Sequence, residues 1–111
     1  MTAIDSSVAV AALTSWHEAH ETSRRAAKEA PIPAHALLET YAVLTRLPYP
    51  RAVPASGAAT LLHAWFPVER VLVPPLRMTR SVVAKLAQAE VVGGAAYDAL
   101  IGLTAAAHGH T

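Results

Sequence analysis

Thr2-Ala3-Ile4-Asp5-Ser6-Ser7-Val8-Ala9-Val10-Ala11-Ala12-Leu13 is an apolar segment interrupted once, by an acid and two serines. Residues 2–5 are short and apolar and read as a buried strand. The Val8–Leu13 run reads as the helix that this strand feeds, with Ser6 and Ser7 as N-cap candidates. A strand that turns directly into a helix is the opening unit of an α/β architecture.

Outward from that unit, the eight prolines act as punctuation between elements. Residues 16–30 are polar and alanine-rich, with Glu21 four residues before Arg25, which predicts an exposed helix ended by Pro31. Pro31-Ile32-Pro33 leaves room only for a very short strand. Residues 36–47 follow as a helix with Leu37, Tyr41 and Leu44 on one face, stopped by Pro48. Residues 47–54 read as a loop, and residues 55–66 as a helix carrying Leu61, Leu62, Trp65 and Phe66. Val71-Leu72-Val73 is a further strand before Pro74-Pro75. Thr79 is placed to cap a helix with the stripe Val82, Val83, Leu86 and Ala89. Gly93-Gly94 is a turn, and Ala95–Ala107 is the last helix, with Gly109 as its stop. Strands alternating with helices predict right-handed crossovers and a parallel sheet with helices on both faces. Three strands is few for such a sheet.

The chain has 111 residues, of which 53% are hydrophobic and 15% charged. That composition fits one domain with one core, and it excludes disorder and coiled coil. No apolar run reaches the ~18–20 residues of a membrane span. Asp5 sits where a signal peptide would have its basic-to-apolar lead. The absence of cysteine rules out disulfides, a thiolate nucleophile and a zinc knuckle, and it fits a reducing cytoplasm. A formal charge of +1 offers no basic stripe for nucleic acid.

Three acids stand out against this background. In open α/β sheets ligands bind beyond the carboxyl ends of the strands. Asp5 sits at the end of the first strand, and Glu39 lies early in the apolar helix after the second. Asp98 lies one turn into the last helix. An ionised carboxylate in an apolar stretch is costly without a partner. Arg46 follows Glu39 by seven residues on the same face, while Asp98 has no lysine or arginine within ten residues. Three converging carboxylates without basic partners suggest a divalent cation, and all-oxygen ligands favour Mg²⁺ or Mn²⁺. The plainer alternative is that Asp5 caps a helix, Glu39 is solvated, and Asp98 complements its own helix dipole.

Three stretches carry a family resemblance. Ala3 to Leu13 resembles the first motif of PIN domains, especially the VapC-type toxins, in which an aspartate ends the first strand and a Ser/Thr pair opens the helix. Ala36-Leu37-Leu38-Glu39-Thr40-Tyr41-Ala42-Val43-Leu44-Thr45-Arg46-Leu47-Pro48 is similar to the family's glutamate helix. Tyr97-Asp98-Ala99-Leu100-Ile101-Gly102-Leu103-Thr104-Ala105-Ala106-Ala107-His108-Gly109 resembles its third acidic motif. Trp16-His17-Glu18-Ala19-His20 also looks like the start of the family's second helix.

The resemblance implies a three-layer α/β/α domain over residues 1–111 with a short parallel central sheet. It implies Asp5, Glu39 and Asp98 as catalytic and metal-holding acids for Mg²⁺ or Mn²⁺, and Ser7 as a hydroxyl supporting Asp5. The implied activity is hydrolysis of RNA phosphodiester bonds by a metal-dependent endoribonuclease, a cytoplasmic toxin silenced by a cognate antitoxin. Arg46 and Arg51 would steer the RNA, and a homodimer is expected. The family also places a fourth acid and a last strand after the third motif. The chain reaches Thr111 where they would begin, so these are expected to be missing here. The second reading is therefore a PIN-like binding or oligomerisation module without competent catalysis.

Other signals are weaker. The six histidines are scattered over separate segments, so surface or capping roles are expected ahead of a Zn²⁺ site. Arg24, Arg25 and Lys28 read as a solvated face, and Trp65-Phe66 as core or interface ahead of base stacking. Ser7 lacks the G-x-S-x-G context of a hydrolase nucleophile.

Overall fold

Asp5 begins the structure in a literal sense, because its backbone is extended and its carboxylate accepts from the Val8 N–H at 3.1 Å. This caps α1 (Ser6–Leu13), so the acid and not a serine holds the N-cap. The computed structural model describes residues 2–111. After α1 come α2 (His20–Ala27), β1 (Ile32–Pro33), α3 (Ala34–Thr45) and α4 (Ala55–Trp65). A 3-10 turn at Val68–Arg70 then leads into β2 (Val71–Leu72), α5 (Leu76–Gln88) and α6 (Ala95–Ala107).

Prolines start helices here as well as ending them. Pro33, Pro54 and Pro75 directly precede α3, α4 and α5, each with φ within a degree of −58° and an extended ψ. The ring fixes φ, and the missing N–H removes a donor that a helix entry has no partner for. α3 therefore starts at Ala34, two residues before the expected start. α5 starts at Leu76, with Thr79 inside the helix and its hydroxyl donating to the Pro75 carbonyl at 3.2 Å.

The sheet is shorter than expected. β1 and β2 pair in parallel with Ile32 opposite Val71 and Pro33 opposite Leu72. Residues 2–5, expected as a strand, are extended but form no ladder. The Ile4 N–H donates to the Pro31 carbonyl, and the Ala3 N–H donates to the Thr111 carbonyl, both at 3.0 Å. One backbone hydrogen bond on each side, with a Thr2–Thr111 hydroxyl pair at 3.2 Å, holds this segment between the approach to β1 and Thr111.

Small side chains bring the helices together. Ala9, Ala27, Ile32, Ala36 and Leu44 are fully buried, and α1 packs against both α2 and α3. The buried face of α3 is Ala36, Thr40 and Leu44. Leu37 and Tyr41 lie half-buried on its flank, along a cleft shared with Leu62 and His63 of α4. The buried hydroxyls of Thr40 and Thr104 are satisfied by the carbonyls four residues back, Ala36 at 2.7 Å and Leu100 at 2.8 Å.

The expected helix over 16–30 is reduced to its middle, His20–Ala27. Before it, successive turns link His17 to Thr14 and His20 to His17. The Arg51 guanidinium lies 4.2 Å from the Trp16 ring centroid and closes the 46–54 loop over this corner. Arg70 is the main tie at the sheet's other end. Its guanidinium donates to the carbonyls of Ala27 (3.0 Å), Ala30 (3.1 Å) and Trp65, where α2 and α4 end. Phe66 is buried beneath it, and Trp65 is half-buried alongside.

Candidate active site

The three predicted acids lie on three different helices, two of them at helix starts. Asp5 caps α1, Glu39 lies in the second turn of α3, and Asp98 lies in the first turn of α6. The segment before α1 is hydrogen-bonded to Pro31 at the approach to β1, α3 leaves β1 directly, and α6 packs against both α3 and β1.

Asp5 is the best-held of the three. Its Oδ1 accepts from the Val8 N–H and, at 2.6 Å, from the Ser7 hydroxyl. Ser7 therefore touches Asp5 and fixes its orientation. Beside Asp5 opens a cavity of about 180 Å³ lined by Val8, Pro33, Ile101, Gly102 and Thr111, among others. A Cβ on Gly102 would meet nothing within 4 Å, so the cavity extends up to the α6 backbone. Asp98 is exposed, one turn before Ile101 and Gly102 on α6, and is not part of the cavity's lining.

The helices that carry Glu39 and Asp98 are tied by a pair of rings. His35 lies one turn before Glu39 on the same face of α3, and Tyr97 immediately precedes Asp98. The two rings stack with centroids 4.9 Å apart and planes 8° from parallel. Glu39 is half-buried, and its Oε1 is enclosed without any hydrogen-bond partner. An enclosed carboxylate oxygen left unpaired is destabilising, by about 1–3 kcal/mol or more for a charged group. Glu39 therefore offers one acidic oxygen that still lacks a partner. Among the described residues, no three acidic or histidine side chains are gathered around one point.

Arg46 and Arg51 lie elsewhere. Arg46 is the C-cap of α3, about 10 Å along the helix from Glu39. Arg51 is engaged with Trp16. Several histidines make local bonds: His17 Nδ1 accepts from the Ala19 N–H, His20 bonds the Ala11 carbonyl, and His108 bonds the Val73 carbonyl at 2.7 Å. Arg24, Arg25 and Lys28 are exposed, as expected for a solvated face. Sequence reasoning missed the His35–Tyr97 pair. The available signal was an aromatic residue one position before one acid and an imidazole one turn before another.

The PIN domain profile matches residues 2–111. The chain belongs to the PIN domain family. That fold is a three-layer α/β/α arrangement, so the six helices around a short parallel sheet are a compact instance of it. Ribonuclease VapC40 of Mycobacterium tuberculosis is 42% identical over 113 residues, covering 98% of this chain and 81% of that protein. Ribonuclease VapC27 of the same species is 44% identical over 111 residues, covering 96% of this chain and 77% of that protein. No solved structure matches at comparable significance. Among the described residues, no helix is long and apolar enough to cross a membrane.

Proposed function

We propose that this PIN-family chain is an endoribonuclease that hydrolyses RNA phosphodiester bonds with a divalent ion held by Asp5, Glu39 and Asp98. The observation that carries this reading is the enclosed, unpartnered Glu39 Oε1, on a helix that the His35–Tyr97 ring pair ties to the helix bearing Asp98. When bound, an ion of the Mg²⁺ or Mn²⁺ class supplies Lewis-acid polarisation of a phosphate oxygen and a more acidic water.

The chain's own residues do the rest. The Val8 N–H and Ser7 hydroxyl hold one Asp5 oxygen, so the other is presented in a fixed direction. The apolar walls of Val8 and Ile101 lower the local dielectric and strengthen any carboxylate–cation attraction. The sequence has no basic stripe, so neutralisation of the scissile phosphate falls to the acid-held ion. Arg46 and Arg51 would meet RNA only where the strand passes the far end of α3.

The names of the VapC relatives support placing the chain in a toxin–antitoxin pair, silenced in the cytoplasm by a cognate antitoxin protein. Association, including a homodimer, is supported by the apolar side chains that α5 exposes, Leu76 and Val83. The competing reading, a PIN-like binding module without catalysis, draws on the ungathered acids.

RNA cleavage in Mn²⁺ or Mg²⁺ and in EDTA separates the two readings. The nuclease reading expects cleavage that EDTA abolishes. It also expects a melting temperature that Mn²⁺ raises, since a ligand bound only to the folded state stabilises it. Asp5→Asn combined with Asp98→Asn should remove that shift. Mn²⁺-dependent stabilisation unchanged in the double variant, with no cleavage by the native chain, leaves the binding module.

A further inference from the structure

We propose that the His35–Tyr97 stack is a platform for an unpaired nucleobase of the RNA, next to the scissile phosphate. The inference rests on the ribonuclease reading and deepens it.

Tyr97 is 54% exposed although one of its ring faces is covered by His35 at 4.9 Å. The other face is therefore the one open to solvent. The ring is also well fixed. His35 sits in the first turn of α3 directly after Pro33, and Tyr97 sits in the first turn of α6, so both come from helices and not from loops. A flat aromatic surface held in place and open on one side is what single-stranded nucleic-acid sites use, since every base has a π-face.

Position gives the platform its role. Tyr97 adjoins Asp98 in the chain, and His35 lies one turn from Glu39, so the stack bridges the two helices that carry two of the three acids. A base resting there would belong to a nucleotide at or next to the bond being cut. Base-paired nucleotides cannot present a free face, so the platform selects unpaired segments of RNA. Stacking is tolerant of base identity, so only weak base preference is expected at this position.

A plainer role for the pair is a clasp between α3 and α6, and the experiment must separate the two. A single-stranded oligoribonucleotide with a mapped cleavage site is scanned with one abasic nucleotide at a time, reading both cleavage and equilibrium binding by fluorescence anisotropy. In the native chain, one abasic position beside the cut should weaken binding by about five- to a hundredfold. Tyr97→Ala should weaken binding of the intact RNA by the same factor and lose its sensitivity to that abasic position. Tyr97→Phe should behave as the native chain does. Tyr97→Leu, which keeps apolar bulk without a ring, replaces the alanine variant if that one fails to fold.

A clasp alone would weaken intact and abasic RNA equally in the ring-less variant, and that result overturns the platform. A flat abasic scan in a chain that still cleaves RNA also overturns it while the nuclease reading stands. Binding with the expected abasic dependence but no cleavage keeps the platform and removes the nuclease. Failure to bind RNA at all removes both.

Discussion

α5 and α6 have thirteen residues each and end in the same hydrogen-bonded cap. In α5 the Val91 N–H donates to the Leu86 carbonyl and the Glu90 N–H to that of Ala87. In α6 the His110 N–H donates to the Ala105 carbonyl and the Gly109 N–H to that of Ala106. Beyond that shared ending the helices differ. α6 buries Ile101, Thr104 and Ala105 and carries Asp98 at its start, whereas α5 buries only Val82. Leu76 of α5 is 87% exposed, while Leu44 in α3 is wholly enclosed. α5 is also the more polar of the two, with Arg77, Arg80 and Lys85 where α6 has Asp98 as its one charged residue. A site that must position three carboxylates needs rigid elements beneath it, and α5 holds none of the three.

Core truncation should show this contrast most strongly. Ile101→Ala removes a buried side chain that already borders a cavity, so the loss should fall toward the lower end of about 2–5 kcal/mol. Leu76→Ala should stay within about 0.5 kcal/mol. Urea denaturation of both variants checks this pair. Equal losses would mean that α5 is covered in solution, for instance by a second copy, and light scattering at the same concentration would show it.

The two caps offer a finer test. Both place a residue in the left-handed region, Gly109 at φ +77° and Glu90 at φ +55°. Glycine adopts that conformation freely, whereas other L-residues resist it by roughly 1–2 kcal/mol. Gly109→Ala should therefore destabilise the chain by about 1 kcal/mol. Glu90→Gly should stabilise it by up to about 1 kcal/mol. Thermal melts read both, and a loss on Glu90→Gly would show that the Glu90 side chain contributes something that its exposed position does not reveal.

The same two caps show why some features were legible in the sequence and others were not. Gly109 announced the end of α6 because glycine is the usual residue for that backbone. Glu90 gave no such sign, since the cap is dictated by the chain around it. The expected starts of α3 and α5 fall late because Pro33 and Pro75 set the entry angle, whereas the expected start of α5 rests on Thr79 as a polar cap. The strand expected over residues 2–5 forms no ladder, although Ile4 is buried as expected. The segment's pairing depends on Pro31 and Thr111, which no local pattern connects to it. Among the candidate site residues, Asp5, Glu39 and Asp98 were visible as acids in apolar stretches. Arg70 was not visible as a tie, because its three carbonyl partners lie on segments brought together only by folding.

Asp5 carries two roles in this account, capping α1 and holding a cation, and one substitution separates them. Asparagine caps helices about as well as aspartate, whereas it lacks the charge that a divalent ion requires. The most direct measurement is RNA cleavage by Asp5→Asn beside its melting temperature. The account predicts a melting temperature within a few degrees of the native chain's in EDTA, and cleavage slower by at least about a thousandfold, roughly 4 kcal/mol in the barrier. An Asp5→Asn chain that folds normally and cleaves RNA within tenfold of the native rate would contradict it.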